Sequence, residues 1–136
     1  MTYNVATAMT NLRTMLKGIS GMAEAPATVP ESMVQFPFGL VFLVSFSTEP
    51  TVVTPEWDEI DDLVRVEIHV ARSNLPTAFD KAVPFRDAFL TALRSNPTLS
   101  GAVQAISTVS GRFGYLEYAK ETHLGWQIDL TLHGVI

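Results

Sequence analysis

Hydrophobic and polar positions change period several times along the chain, and each change predicts an element. Val5, Ala8, Met9, Leu12, Met15, Leu16 and Ile19 recur at three- and four-residue spacing, the apolar stripe of a helix over residues 5–18. Asn4 or Thr2 is placed to cap its start, and Gly18 or Gly21 to end it. Residues 38–47 switch to period two. Leu40, Phe42, Val44 and Phe46 alternate there with Val41, Leu43 and Ser45. Both faces are apolar at first, which predicts a central strand. Residues 63–72 alternate more cleanly, with Val64, Val66, Ile68 and Val70 opposed to Arg65, Glu67, His69 and Ala71. One face of that strand belongs on a core and the other faces water or a partner.

A second helical region opens at residues 74–77, where Thr77 and Asp80 are candidate caps. Pro84 predicts a kink or restart within it. Phe85, Ala88, Phe89, Ala92 and Leu93 form its apolar stripe, and Asn96-Pro97 stops it. The turn Thr98-Leu99-Ser100-Gly101-Ala102 follows. Three strands are then expected, over residues 103–109, 114–120 and 124–132, with Gly111 and Glu121-Thr122 marking the turns. In the last, Leu124, Trp126, Ile128, Leu130 and Leu132 oppose Gln127, Asp129, Thr131 and His133. The order is helix, two strands, helix, three strands. It predicts one domain over residues 1–136 of the α+β class, an antiparallel or mixed sheet of about five strands with two helices packed on one face. A proline-bearing connector over 21–37 is expected to wrap a surface or contact a neighbour, against the alternative of a mobile loop; a second loop spans 49–61, and both are candidates to order on assembly.

Composition narrows the function classes. A chain of 136 residues buries enough surface for one core without staples. Charged residues are 17% of it, against about 25% in ordinary domains. So neutral a surface favours an oligomer or assembly component over an ordinary compact domain. The net charge is −5 and the nine Lys and Arg residues are scattered, which argues against tight nucleic-acid binding. With no cysteine there is no disulfide, thiolate nucleophile or Cys-based zinc site, consistent with assembly in a reducing cytoplasm. No apolar run reaches the roughly 18 residues of a membrane span. Met1-Thr2-Tyr3-Asn4 starts no signal peptide pattern.

Candidate chemistry is sparse. His69, His123 and His133 fall at two polar-face strand positions and one turn, and are expected to be solvated or at an interface. No GxSxG elbow or phosphate loop occurs, and a hairpin turn accounts for the glycines of residues 110–114. Phe113, Tyr115 and Tyr118 are expected as core or interface aromatics, because the element order does not suit an RNA-stacking sheet. Glu56, Asp58, Glu59, Asp61 and Asp62 are the one charge cluster. It admits three readings: a solvated loop, an acidic rim or channel lining, or a divalent-cation site without EF-hand spacing.

The block Phe85-Arg86-Asp87-Ala88-Phe89-Leu90-Thr91-Ala92-Leu93, the turn Asn96-Pro97-Thr98-Leu99-Ser100-Gly101-Ala102-Val103, the strand Gly114-Tyr115-Leu116-Glu117-Tyr118 and the final Leu124-Gly125-Trp126-Gln127-Ile128-Asp129-Leu130 carry a resemblance. Together they resemble the tail terminator (tail-completion, minor tail) proteins of long-tailed bacteriophages. The resemblance implies a structural virion protein and no enzyme, assembled in the host cytoplasm, with no catalytic residue, cofactor or metal. It implies a homohexameric ring on the last ring of the tail tube protein, which stops tube polymerisation and offers the surface that meets the head-side connector protein. DNA would pass through without specific binding, helped by an acidic lumen. Glu56, Asp58, Glu59, Asp61 and Asp62 are then expected at the lumen or rim. Gln127, Asp129, Thr131 and His133 are expected to face solvent or the neighbouring subunit. Alternatives are another head-tail connector (a head-completion or stopper protein), a related contractile-injection or gene-transfer component, and a small-molecule-binding α+β protein or enzyme.

Overall fold

The computed structural model describes residues 3–26, 35–48, 59–71, 75–118 and 121–135. The elements are α1 (Val5–Lys17), β1 (Phe38–Thr48), β2 (Glu59–Ala71), α2 (Leu75–Ser95), β3 (Ala105–Tyr118) and β4 (Glu121–Val135). The fold is α+β. Among the described residues, four strands form one antiparallel sheet in the order β1-β2-β4-β3.

Asn4 is the cap of α1, its side-chain oxygen accepting from the Ala6 and Thr7 amides at 2.9 and 3.3 Å. Those amides have no partner inside the helix, so the cap supplies one. Gly18 closes the helix. Ala8, Leu12 and Leu16 of α1 and Ala82, Phe89 and Leu93 of α2 join one core. The strands add Val41, Val64, Val66, Ile68, Val70, Trp126, Ile128, Leu130 and Leu132 to it. These are alternate strand positions, as the period-two pattern requires. The Trp126 indole N–H donates to the Ala82 carbonyl at 2.8 Å, tying β4 to α2. Pro84 lies inside α2 without ending it, so the expected restart does not occur.

Three sequence expectations are corrected. The expected strands over 103–109 and 114–120 belong to one strand, β3 (Ala105–Tyr118); residues 103 and 104 belong to the preceding turn, and 119–120 lie outside the described residues. Gly111 and Gly114, expected in a hairpin turn, lie within that strand. A Cβ at Gly111 would approach the Gln127 carbonyl oxygen at 2.9 Å, so glycine there reflects close approach to β4. Second, β1 is an edge strand and β2 and β4 are central. The double-sided apolar pattern of β1 misleads because only its first half is buried: Phe38, Leu40 and Val41 are covered, whereas Leu43, Val44 and Phe46 are exposed. Third, β2 starts at Glu59, inside the expected loop.

The turn after α2 is held by its own side chains. The Ser100 amide donates to Asn96 Oδ1 at 2.7 Å, and the Gly101 amide to Thr98 Oγ1 at 3.2 Å. Leu99, Ser100 and Gly101 all have positive φ, at 50°, 60° and 83°. For the two non-glycines that conformation costs about 1–2 kcal/mol each. Burial of the whole Leu99 side chain offsets it. So does the Asn11 side-chain amide, which donates to the Leu99 carbonyl at 2.7 Å from α1.

Candidate functional site

Functional groups concentrate on the sheet face opposite the core. On β2 and β4 this face is set by alternation: Glu59, Asp61, Arg65, Glu67 and His69 stand beside Gln127, Asp129, Thr131 and His133. All four residues of the expected β4 face are half-buried and share that face.

Its centre is an ion pair across β2 and β4. Arg65 donates from Nε to Asp129 Oδ1 at 2.8 Å and from Nη2 to Oδ2 at 3.4 Å. The two residues are register partners, so the ladder places them face to face. The Asp129 hydrogen bond holds the guanidinium pKa above its ordinary value. On β3, Arg112 donates to Gln127 Oε1 at 3.3 Å.

One end of the face is an acidic recess of about 200 Å³, lined by Ser47, Thr48, Glu59, Ile60, Asp61 and His133. His133 Nδ1 lies 2.7 Å from Asp61 Oδ1, and its Nε2 is 3.9 Å from Glu59. A carboxylate only accepts, so the Nδ1 facing Asp61 carries the hydrogen.

The other end holds a buried histidine pair. His69 and His123 meet Nδ1 to Nδ1 at 2.9 Å, and neither is exposed. His69 Nε2 faces Glu67 at 2.8 Å and His123 Nε2 faces Glu121 at 3.2 Å. Phe38 stacks on His69 at 4.5 Å between centroids, and Phe36 meets His123 edge-on at 4.9 Å. Both Nε2 atoms need a hydrogen to meet a carboxylate, and the shared Nδ1 contact needs one more. The three contacts are satisfied together by three ring hydrogens, an assignment that rests on the hydrogen-bond network. The Tyr118 hydroxyl is buried beside this cluster with no hydrogen-bond partner among the described residues, and burial raises its pKa.

The expected acidic cluster is divided. Glu56 and Asp58 lie outside the described residues. Glu59, Asp61 and Asp62 are on strand β2, not on a loop. Alternation sends Glu59 and Asp61 to the polar face and Asp62 to the core side, where it is 2% exposed and accepts from the Tyr3 hydroxyl. Burial, followed by that hydrogen bond and the charges of Asp62 and Asp61, raises the Tyr3 pKa well above the ordinary tyrosine value. Asp62 is therefore a structural anchor. Among the described residues no group of three His, Asp or Glu side chains is arranged to hold a metal ion.

The histidines also depart from expectation. All three lie on strands, and two are buried rather than solvated. The missed signal is Glu-x-His, present at 67–69 and again at 121–123. In a strand that spacing puts carboxylate and imidazole on one face. Of the three aromatics, Phe113 packs 5.4 Å from Trp126, Tyr118 joins the histidine cluster, and Tyr115 is exposed.

A second concavity lies across the molecule's other lateral edge. An open apolar cleft of about 570 Å³ runs between the end of α2 and the start of β3, lined by Leu90, Leu93, Pro97, Ile106 and Val109 with Arg94 at its margin. No described helix is long and apolar enough to cross a membrane. No protein-family model matches the chain, and no curated protein matches it.

Proposed function

We propose that the chain is a structural ring subunit of a long-tailed phage, a tail terminator that caps the tail tube and presents the surface that joins the head. The observation that supports this most is large apolar side chains left exposed at both lateral edges of the sheet. Leu43, Val44 and Phe46 lie on β1, and Val109 and Tyr115 lie on β3. Monomers ordinarily protect edge strands with charge or cover. Two different sticky edges on opposite sides suit a head-to-tail contact, which closes into a ring. The resemblance carried by residues 85–130 supplies the identity of that ring.

In this reading both helices pack on one face of the sheet, and the polar face looks towards the lumen. Glu59, Asp61, Glu67 and Asp129 then line the DNA path, and like charge keeps the phosphates from sticking. The subunit is a homohexamer of the virion, works without covalent chemistry, cofactor or metal, and touches the tube protein on one side and the head connector on the other. A head-completion or stopper protein would share the same edges and polar face, and the phenotype separates the two.

Electron microscopy of particles made without this protein tests the proposal. The expected result is over-long or headless tails. Normal tails joined to heads would end it.

A further inference from the structure

The two edges of the sheet match row for row. Leu43 of β1 pairs with Val64, Val64 with Leu130, and Leu130 with Val109 of β3. Phe46 pairs with Asp62, Asp62 with Leu132, and Leu132 with Ile106. These are the same two ladder rows, read from edge to edge. Each edge strand also carries one extra residue between those rows, Val44 on β1 and Ser107 on β3. The bulges leave Leu43 and Phe46 on the core side of the sheet although they are three apart, and they do the same for Val109 and Ile106. At the β1 edge, Leu43 is 45% and Phe46 is 67% exposed. At the β3 edge the same rows end in the open cleft, which Ile106 and Val109 help to line.

Strand direction agrees. With four antiparallel strands, β3 runs opposite to β1. A second copy's β1 laid beside β3 therefore continues the alternation. We propose that the cleft between α2 and β3 receives the β1 edge of a second copy of this chain, Leu43 and Phe46 entering it in register with Val109 and Ile106. The proposal deepens the ring reading and rests on it for closure, whereas the pairing stands on the register.

Charge fits the same occupant. β1 has no charged residue. The charged side chain at the cleft margin is Arg94, in the last turn of α2. An uncharged strand therefore enters an apolar cleft whose cation stays at the rim, so docking buries no unpaired charge from β1.

Area decides the assembly behaviour. The first part of the β1 edge is already occupied, since Glu24 bridges Phe38 and accepts from the Gly39 amide at 2.9 Å. The stretch that no other described residue bridges, residues 42–48, spans about 23 Å at ~3.3 Å per residue. A sheet edge with one helix layer is about 20 Å deep. Each partner then contributes about 450 Å², roughly 900 Å² in total, below the ~1,200 Å² of a stable pair. An isolated dimer is weak. A closed ring gives every copy two such contacts and holds through their sum. Monomer and ring are the populated species.

Cysteine cross-linking tests this, because the chain has no native cysteine. Phe46 and Ile106 sit three strand spacings apart within one copy, ~14 Å. A disulfide needs Cα atoms within ~7 Å, so bonding between them occurs only between copies. Phe46→Cys and Ile106→Cys are made singly and together, with Leu43→Cys and Val109→Cys as the second row. Mixed single variants from one row are expected to give a disulfide dimer under mild oxidation, and each double variant a ladder of multimers. Adding Phe46→Glu to the Leu43→Cys, Val109→Cys variant is expected to abolish its ladder while circular dichroism stays that of the parent. Dimers from Phe46→Cys alone, or no cross-link in either row, would overturn the pairing. A ladder that grows into filaments supports the pairing and sinks the ring. A closed ring seen by microscopy without cross-linking sinks the pairing and leaves the ring.

Discussion

Gly125 and Gly114 are register partners on β4 and β3, and replacing each with alanine is expected to give sharply different results. A Cβ at Gly125 is driven into the Ile68 carbonyl oxygen, with the Ile68 carbonyl carbon at 2.9 Å and the His69 Cα at 3.0 Å. Those atoms are backbone of the adjacent central strand and cannot rotate away. The collision falls where the β2–β4 ladder is already irregular, between His69 and Ala71. Relief requires the strands to part, which sacrifices about two ladder hydrogen bonds at ~1 kcal/mol each. Overpacking strain adds about 1–3 kcal/mol, for a total of about 3–5 kcal/mol. A chain this size has on the order of 7–20 kcal/mol of stability in all. At about 3–4 °C per kcal/mol the midpoint of Gly125→Ala should fall by about 9–20 °C. At Gly114 the new Cβ would meet the Arg112 Nη1 at 3.4 Å, an ordinary contact with a mobile side-chain end. Gly114→Ala should therefore cost no more than ~1 kcal/mol and recover some strand propensity. Thermal melts followed by circular dichroism, with urea unfolding as a second measure, read both variants. A Gly125→Ala midpoint within ~3 °C of the parent would refute the argument from backbone approach.

The two tyrosine hydroxyls should respond oppositely to removal. Tyr3→Phe removes the donor to the buried Asp62 carboxylate and is expected to cost about 2–3 kcal/mol, whereas Tyr118→Phe removes a hydroxyl with no hydrogen-bond partner among the described residues and should be neutral or stabilising. Because the folded Tyr3 pKa is raised, its contribution is fully present below the unfolded value of ~10 and lost as pH rises through the folded one. Urea unfolding across the alkaline range should show a shallower loss of stability in Tyr3→Phe than in the parent. In the turn after α2, Asn11→Ala should cost about 1–2 kcal/mol by leaving the Leu99 carbonyl without its donor. Ser100→Gly should change stability by less than ~1 kcal/mol, since relief of the positive φ offsets loss of the Asn96 contact to Ser100 Oγ, 3.2 Å long. Equal losses in the two variants, read by chemical unfolding, would contradict that reading.

Much of the polar face was legible from alternation. Gln127, Asp129, Thr131 and His133 share a face because strand side chains repeat every two residues, whatever the partners. Alternation says nothing about which strand lies alongside. The pairing of Arg65 with Asp129, and of Asp61 with His133, therefore had to come from register. The acidic cluster shows the same limit of local spacing. Five acids close together suggest a loop, yet three of them are strand residues, and only pleat position separates buried Asp62 from Asp61.

The chain's own pattern determined local matters: a cap at Asn4 or Thr2, the apolar stripes of both helices, the alternation along each strand and the α+β class. Each depends on neighbours within a few residues, where backbone geometry dictates spacing. Tertiary structure alone decided that β1 is an edge, that β3 is continuous, and that His69 and His123 meet Nδ1 to Nδ1. It also decided that Leu43 and Phe46 end the same rows as Val109 and Ile106. The histidine contact joins residues 54 positions apart, and the order of strands in the sheet, not the spacing of letters, sets which residues meet.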